Sequence, residues 1–462
     1  MLCNGGIEMV FSSCIFLFVF LPITYLLYCV CPNIKLKNAI LIVASLFFYA
    51  FGEPIYVFLM IGSIIVNYIL ARWIASQEEG GKGIIAITVV FNIGMLVIFK
   101  YSPLLVSTCN SLLGLQLPVP EIALPIGISF YTFQALSYCV DVYRDRSTVQ
   151  KSLWKLMLYI SFFPQLIAGP IVKYHDIEKQ LTDRKVTIDD TASGLVRFIF
   201  GLAKKLLIAN SMAFIVDTLY TTQMNMALTA WTVAICYCLQ IYFDFSGYSD
   251  MAIGLGKMFG FTFQENFNYP YISASIQEFW RRWHISLSTW FKEYLYIPLG
   301  GNRKGAARTM MNKFIVFLCT GIWHGANWTF LIWGLFHGIF IILEYKCWIP
   351  LKNKVFAHIY TLLVVICGFV IFRAESMTQA LHILGSMFTG FCIEAQELML
   401  LAKLATPYTM CCLMAGLVLC MPVSGIVKKR GILKYSVAAC LILVCIMNLA
   451  TSSYNPFIYF RF

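Results

Sequence analysis

Two histidines of this sequence lie in apolar, aromatic segments where an ionisable side chain is unusual. His284 follows Trp283, and His324 lies between Trp323 and Gly325. An ionisable residue at membrane depth is costly, which makes it a functional candidate by default. Burial keeps an imidazole neutral, and a neutral imidazole acts as a general base toward a hydroxyl group. The alternative is a structural histidine whose nitrogens are satisfied by neighbouring groups.

Basic residues accompany His284 on a predicted helix over residues 277–296. With 3.6 residues per turn, aromatic residues form one face of this helix and charged residues crowd the opposite face. The pattern predicts an amphipathic helix at the membrane interface. One interpretation is an anchor to lipid headgroups. The other is a binding site for the phosphates of an anionic donor such as a coenzyme A thioester, formed by Arg281, Arg282, Lys292, Arg303 and Lys304.

A third polar cluster interrupts an apolar run in the middle of the chain. Asp244, Ser246 and Asp250 place carboxylates and a hydroxyl in a segment otherwise suited to lipid. A hydrogen-bonded structural knot and a catalytic role are both open, and we expect the cluster to support the site. Farther along, Gly325 predicts a break between two helices, and such breaks occur where the backbone lines a cavity.

Membrane-spanning helices are predicted to position these residues. Of the 462 residues, 60% are hydrophobic and 12% are charged, whereas a soluble domain carries about twice that charged fraction. Apolar runs recur throughout, and they predict roughly ten to twelve spans. The predicted fold class is an all-α, polytopic integral membrane protein with re-entrant and interfacial helices around a central cavity. The first apolar run is predicted to be a span and not a cleaved signal peptide.

No repeat or flexible linker divides the chain, so we predict a single integral-membrane domain over residues 1–462. Its three parts are N-terminal helices, a catalytic core, and C-terminal helices with a tail, over residues 1–120, 121–345 and 346–462.

Lysines and arginines mark the predicted cytoplasmic loops. The formal net charge is +12, and the positive-inside rule accounts for such an excess. Lys35 and Lys37 follow the first span, and the basic residues 428–430 precede the last. Placing both groups in the cytoplasm predicts that the N-terminus and the C-terminus lie outside. Whether 156–170 and 314–345 cross the membrane or re-enter it stays open.

Several common enzyme signatures are absent from the sequence. There is no Walker A, H-E-x-x-H or G-x-S-x-G motif. The 17 cysteines are scattered without paired C-x-x-C sets, so no metal site is predicted. We expect no bound cofactor and no nucleic-acid partner.

Six motifs in order resemble the membrane-bound O-acyltransferase family, and within it the alginate O-acetylation branch. They are the two histidine motifs and the segments 124–134, 167–171, 242–250 and 266–271. The resemblance covers nearly the whole chain. It implies that His324 is the essential catalytic histidine and that His284 is the second. Asn327 departs slightly, since glycine is more usual there, and we count it as a supporting residue.

The resemblance also implies a function and a place in the cell. We expect transfer of an acetyl or other short acyl group from a cytoplasmic thioester, acyl-CoA or another, across a bacterial cell (plasma or inner) membrane. A cell-surface or cell-wall polysaccharide would be the final acceptor. Loops too short for an acceptor-modifying domain predict a separate partner, an extracytoplasmic SGNH-hydrolase-like acetyltransferase. D-alanyl transfer from a carrier protein to teichoic acid and non-enzymatic transport of a glycan or lipid remain alternatives.

The C-terminal residues suggest an acyl relay. The tail around Tyr459 resembles an F-x-Y-F sequence of cell-wall acylation systems, in which the tyrosine carries the acyl group. A phenol beside a base is able to act as a nucleophile, and the resulting aryl ester is activated for onward transfer. The alternative is an aromatic belt at the membrane interface.

Overall fold

The computed structural model describes residues 9–77, 80–423, 431–451 and 454–457. Across these ranges the regular elements are helices and no strand is present, so the all-α prediction is confirmed. Two features of the sequence, Tyr459 and the basic residues 428–430, lie outside the described residues.

We number the helices in chain order. The first ten are α1 (Phe16–Val30), α2 (Ile34–Gly52), α3 (Tyr56–Ser76), α4 (Lys82–Leu113), α5 (Ile128–Arg144), α6 (Leu153–Ser161), α7 (Phe163–Leu166), α8 (Tyr174–Ile177), α9 (Ile188–Tyr220) and α10 (Ala227–Met258). The others are α11 (Ile276–Arg282), α12 (Ile285–Phe291), α13 (Gly305–His324), α14 (Trp328–Tyr345), α15 (Lys354–Arg373), α16 (Met377–Thr389), α17 (Ala395–Leu404), α18 (Pro407–Leu419) and α19 (Gly431–Thr451).

Many of these helices are long and apolar enough to cross a membrane. In the described part of the chain eight qualify, or nine if α17 and α18, bent by 80°, form one broken span. The multi-pass prediction is therefore confirmed. The number is below the ten to twelve counted from apolar runs, because the first of those runs forms only the shorter helix α1 in the described part of the chain. Likewise, 156–170 contains only α6 and α7, whose nine and four residues are too short to span about 30 Å.

The chain divides into two compact units. The first comprises residues 1–198 and 249–264. Phenylalanine rings form much of its described core, as where Phe163 meets the rings of Phe20 and Phe48 at centroid distances of 5.3 and 5.7 Å. Within it α9 and α10 approach closely at Gly194 and Gly254, since a Cβ on either would lie 2.5–2.6 Å from the carbonyl oxygen of the other.

The second unit comprises residues 199–248 and 265–462. Its core is strongly aromatic, with Trp283, Trp333 and Phe369 among the fully packed side chains. Both sequence-predicted histidines lie in this unit. The described ring contacts of both histidines lie within this unit.

Candidate active site

The prediction of one continuous helix over residues 277–296 is wrong. It is two short helices, α11 and α12, followed by a π-helical turn over Lys292–Tyr296. Between α11 and α12, Trp283 is extended and His284 adopts a left-handed conformation with φ 44°. A non-glycine residue rarely adopts that conformation, and such outliers cluster at functional sites. His284 therefore lies at a helix break and not in the middle of a helix.

A neighbouring loop explains why the break is stable. The N–H of Asn268 donates to the carbonyl oxygen of Arg282 at 2.9 Å, and the N–H of Ile285 donates to the carbonyl oxygen of Asn266 at 2.9 Å. Backbone groups released by a break must find other partners when they are buried. Residues 266–268 supply them, so the loop replaces hydrogen bonds that a continuous helix would have made.

The His284 ring is almost completely buried, with 1% of the residue exposed. Its Nδ1 lies 3.2 Å from Oδ1 of Asn266, and the ring packs edge-on against Phe245 at 4.6 Å. The residue lies outside the candidate spans. Burial lowers the pKa of His284 to about 3, because the charged form loses its hydration. The imidazole is thus neutral at physiological pH.

His324 ends α13, as the predicted break requires. Gly325 follows in an extended conformation, and α14 begins three residues later at Trp328. The His324 ring is buried between the rings of Trp333 and Phe372, at 5.0 and 5.1 Å. The Trp323 ring contacts both imidazoles, at 5.0 Å from His324 and 6.1 Å from His284. The structure therefore brings the two predicted histidines together around one indole.

Two glycines hold the hairpin that presents His324. A Cβ on Gly321 would lie 2.5 Å from the Phe330 carbonyl oxygen, and one on Gly334 would lie 2.5 Å from that of Phe317. Larger residues at either position would push α13 and α14 apart. Asn327 is the N-cap residue of α14. Its Oδ1 accepts a hydrogen bond from the Thr329 N–H at 3.1 Å, as N-cap side chains usually do.

His337 lies on α14 in a packing position. The residue is 1% exposed, and its ring contacts Trp280 and Trp333 at 5.2 and 5.1 Å. Gly368 makes room for it, since a Cβ there would lie 2.7 Å from Nε2. These contacts make His337 a packing residue.

A cavity of about 350 Å³ adjoins α11, α12 and α13. Small-molecule sites have volumes of about 300–1,000 Å³. Apolar side chains and hydroxyl groups line it together with three cations, Arg281, Lys292 and Lys313. Arg281 is held by a hydrogen bond from Nη2 to Oε1 of Gln277 at 3.0 Å. The lining thus combines apolar contacts with charges suited to an anionic group.

The other basic candidates are placed differently. Arg303 is exposed, and neither it nor Arg282 lines this cavity. Arg282 donates to Oε1 of Glu278 at 2.9 Å and to the Asn268 carbonyl oxygen at 3.1 Å. Partial burial disfavours the Glu278 carboxylate, but the Ala274 N–H and Arg282 outweigh it and hold the pKa of Glu278 below its usual value. Arg282 therefore stabilises the helix break by linking α11 to the loop 266–268.

The Asp244 cluster is a buried structural network in the second unit. Lys205 Nζ lies 2.8 Å from Oδ1 of Asp244, and both side chains are at most 3% exposed. Removing one partner of a buried ion pair strongly destabilises a protein, because the other charge is left buried without a partner. Ser246 is also buried, and its Oγ has no hydrogen-bond partner in the described part of the chain. Asp250 belongs to the first unit, where Arg197 donates to its Oδ1 at 2.8 Å.

The last described residues are anchored to this network. Lys205 donates to the carbonyl oxygen of Pro456, and the Phe457 ring stacks on Tyr248 at 4.8 Å. Tyr454 donates to Oδ2 of Asp217 at 2.6 Å. The segment 454–457 is thus held by hydrogen bonds and an aromatic contact.

The described residues contain no group of three or more His, Cys, Asp or Glu side chains that could hold a metal ion.

Sequence reasoning missed three residues of this region. Lys313 is a lone lysine in an apolar helix, Lys205 is one of a pair in α9, and Asn266 lies in the motif 266–271. A lysine within an apolar span is itself a signal that a buried acidic partner exists. Nothing local in the sequence marks Asn266 as the partner of His284.

Comparison with known proteins identifies the class. The model of the membrane-bound O-acyltransferase family matches residues 119–378, more than half of the chain. With the all-α, multi-pass fold, this match defines an integral-membrane O-acyltransferase. The chain belongs to the membrane-bound O-acyltransferase family, which confirms the expectation from its motifs.

Similar proteins differ in the acceptor that their names state. The probable alginate O-acetylase AlgI of Pseudomonas putida is 42% identical, over 82% of this chain and 80% of its own. The peptidoglycan O-acetyltransferase of Helicobacter pylori is 34% identical over 98% of both chains. The teichoic acid D-alanyltransferase of Bacillus subtilis is 28% identical, over 54% of this chain and 69% of its own.

Proposed function

We propose that this enzyme moves an acetyl group from a cytoplasmic thioester across the membrane for O-acetylation of an extracellular or cell-wall polysaccharide. The observation that carries the proposal is the pair of buried imidazoles, His284 and His324, on either side of the Trp323 ring. The names of the similar O-acetylating enzymes support an acetyl group and a polysaccharide acceptor. In this proposal residues 121–345 form the catalytic core of the protein, as the sequence predicts.

The donor is proposed to bind at the basic cavity. Arg281 and Lys292, two of the predicted donor-binding residues, line it, and Lys313 adds a third cation. Phosphate oxygens of a thioester such as acetyl-coenzyme A suit such cations, and apolar walls suit its carbon chain. This site requires the cavity to be reached from the cytoplasm.

The proposed chemistry is acyl transfer with a histidine base. A hydroxyl oxygen attacks the thioester carbonyl carbon, so that a C–O bond forms and the C–S bond breaks. His324 takes the hydroxyl proton, and the leaving thiolate is protonated in turn. In the relay version the attacking hydroxyl is the Tyr459 phenol, and its acetyl ester then passes to an extracytoplasmic SGNH-hydrolase-like acetyltransferase or to the polysaccharide.

D-alanyl transfer to teichoic acid is the second candidate. The similarity to the Bacillus subtilis D-alanyltransferase favours it, although that match covers only 54% of this chain. The two candidates differ in the ester they form, because an acetyl ester and an alanyl ester differ in mass and only the alanyl ester carries an amine.

The experiment that tests the proposal compares cells carrying the wild-type protein with cells carrying His324→Ala. Mass spectrometry of surface polysaccharide should show a base-labile acetyl ester that the variant loses, because the general base is gone. His382→Ala is the matched control, since His382 is an exposed histidine on α16. Membrane levels of the three proteins must be equal. An unchanged ester content in His324→Ala would remove this residue from the mechanism and favour a transporter.

A further inference from the structure

The side-chain oxygen of Asn266 receives three hydrogen bonds in a buried position. The N–H of Ser286 donates to it at 3.1 Å and the hydroxyl of Ser286 at 2.9 Å. Nδ1 of His284 is the third neighbour, at 3.2 Å. Because a backbone N–H only donates, the amide atom that faces it must be the oxygen. The orientation of the Asn266 amide is thus determined by the backbone.

This orientation determines which nitrogen of His284 carries the hydrogen. An amide oxygen only accepts, so Nδ1 must be the N–H nitrogen. In a neutral imidazole the other nitrogen, Nε2, then has a lone pair. Nε2 is buried and has no hydrogen-bond partner within the described ranges. A buried acceptor without a partner is costly, and such an atom in an enzyme points to a group that binds there.

We infer that Asn266 is a positioning residue that holds His284 as the Nδ1–H tautomer, so that Nε2 meets the substrate as a proton acceptor. The inference rests on the proposed function, in which His284 is the second catalytic histidine. It goes further by assigning the direction of hydrogen bonding at His284. In the relay version His324 takes the proton of the Tyr459 phenol in the first transfer, and Nε2 of His284 serves the second transfer. There Nε2 takes the proton of the next acceptor's hydroxyl as that oxygen attacks the acyl carbon, the bond to the Tyr459 oxygen breaks, and the phenolate regains the proton. In this tautomer Nε2 does not donate to the carbonyl oxygen.

The surroundings of the ring favour the neutral form. Its described contacts on α10 and α13, Phe245 and Trp323, are uncharged, and Asn266 is an amide. The titratable groups next to these contacts are Asp244, which is paired with Lys205, and His324. Neutrality therefore does not depend on a counter-ion, and the tautomer is left to the Asn266 hydrogen bond.

The test reads the tautomer directly. The full chain is prepared in lipid nanodiscs with ¹³C at tryptophan carbonyls and ¹³C,¹⁵N throughout histidine. Only His284 and His324 follow a tryptophan, so these labels select two residues, and the His324→Ala background leaves one. The expected spectrum shows a protonated Nδ1 and an unprotonated Nε2 at His284. A protonated Nε2 in this protein would overturn the inference without any change at Asn266.

Variants connect the tautomer to the reaction. Asn266→Leu removes the acceptor, and the maximal rate of acetyl transfer in membranes supplied with acetyl-coenzyme A should fall ~100-fold, the low end of a general-base contribution. The concentration of acetyl-coenzyme A for half-maximal rate should not change. Asn266→Asp retains an oxygen acceptor and should restore most of the rate and the Nδ1–H signal. Ser286→Ala is the control, because it removes one bond to Asn266 and leaves the bond from His284.

The outcomes separate this inference from the proposed function. A folded Asn266→Leu protein with the wild-type rate would overturn the positioning role, even if His324→Ala is inactive. Unchanged polysaccharide esters in His324→Ala would contradict the proposed function, and the tautomer at His284 would still be measured by its own signal.

Discussion

Three cations on the cavity wall are held in different ways. Arg281 is bonded to Gln277, whereas Lys313 lies 4.2 Å from the centre of the Tyr345 ring. Lys292 is exposed at the π-helical turn that follows α12. An ammonium over an aromatic face remains charged while its stem packs against apolar groups. Lys313 is therefore a preorganised cation, whereas the exposed Lys292 side chain would lose conformational entropy on binding an anion.

The two cations that have a described partner, Lys313 and Arg281, predict how donor binding responds to substitution. Lys313→Met and Arg281→Gln should each raise the acetyl-coenzyme A concentration for half-maximal rate by about tenfold, as loss of one charge-assisted hydrogen bond implies. The maximal rate should remain near that of the wild type. Rates are measured in membranes over a range of acetyl-coenzyme A concentrations.

The matched control for the cavity is Lys352→Met, which removes an exposed lysine outside the lining. If Lys313→Met lowered the maximal rate and left the concentration dependence unchanged, the donor would bind elsewhere.

Helix contacts, rather than side chains alone, position His324. The α13–α14 hairpin closes at Gly321 and Gly334, whose backbones approach too closely for a Cβ on either. Asn327 starts α14 through its side chain, and its Nδ2 also donates to the carbonyl oxygen of Glu375 at 3.1 Å. The position of His324 at the end of α13 thus depends on the close packing of Gly321 and Gly334 and on the N-cap residue Asn327.

The hairpin predicts a sharp difference between two glycine substitutions. Gly334→Ala should destabilise the protein by roughly 1–3 kcal/mol, the usual cost of overpacking, and should reduce ester formation because His324 is displaced. Gly385→Ala on α16 should be tolerated, since nothing lies within 4 Å of its Cβ position. Thermal unfolding of both purified proteins and the polysaccharide ester content check this. Equal behaviour of the two variants would rule out close packing as the determinant.

At the scale of the whole molecule, the proposed reaction needs a defined orientation. The distribution of basic residues predicts both termini outside, with Arg144, Arg146, Lys151 and Lys155 in the cytoplasm. The donor is cytoplasmic and the acceptor extracellular in the proposal, so the topology decides from which side each substrate arrives. An even number of crossings is required when both termini lie on one side.

Reporter fusions test this topology. Alkaline phosphatase joined to the C-terminus should be active, because it folds with disulfides outside the cytoplasm, and green fluorescent protein there should be dark. The same reporters fused after residue 150 should give the opposite pattern. Fluorescence of the C-terminal fusion would place the tail in the cytoplasm and would separate Tyr459 from an extracytoplasmic acceptor.

Much of this protein is determined by local sequence. Apolar runs specify helices and membrane insertion, because apolar side chains are stable in lipid and a helix makes its backbone hydrogen bonds within its own segment. Short motifs sufficed for the family and for the break after His324, since a glycine beside a histidine is a local signal. The candidate histidines themselves were also visible, because polar rings are rare among apolar residues.

Tertiary structure alone decided how these groups are arranged. Helical periodicity over 277–296 predicted one helix, but the loop 266–268 stabilises a break at His284 by taking over its backbone hydrogen bonds. Asn266 is 18 residues from His284, and Lys205 is far along the chain from Asp244. Such partners are chosen by packing between distant segments, and their energies depend on burial. Residue type and spacing along the chain contain no record of either, so the sequence determined the class of protein and the tertiary fold decided the geometry of its site.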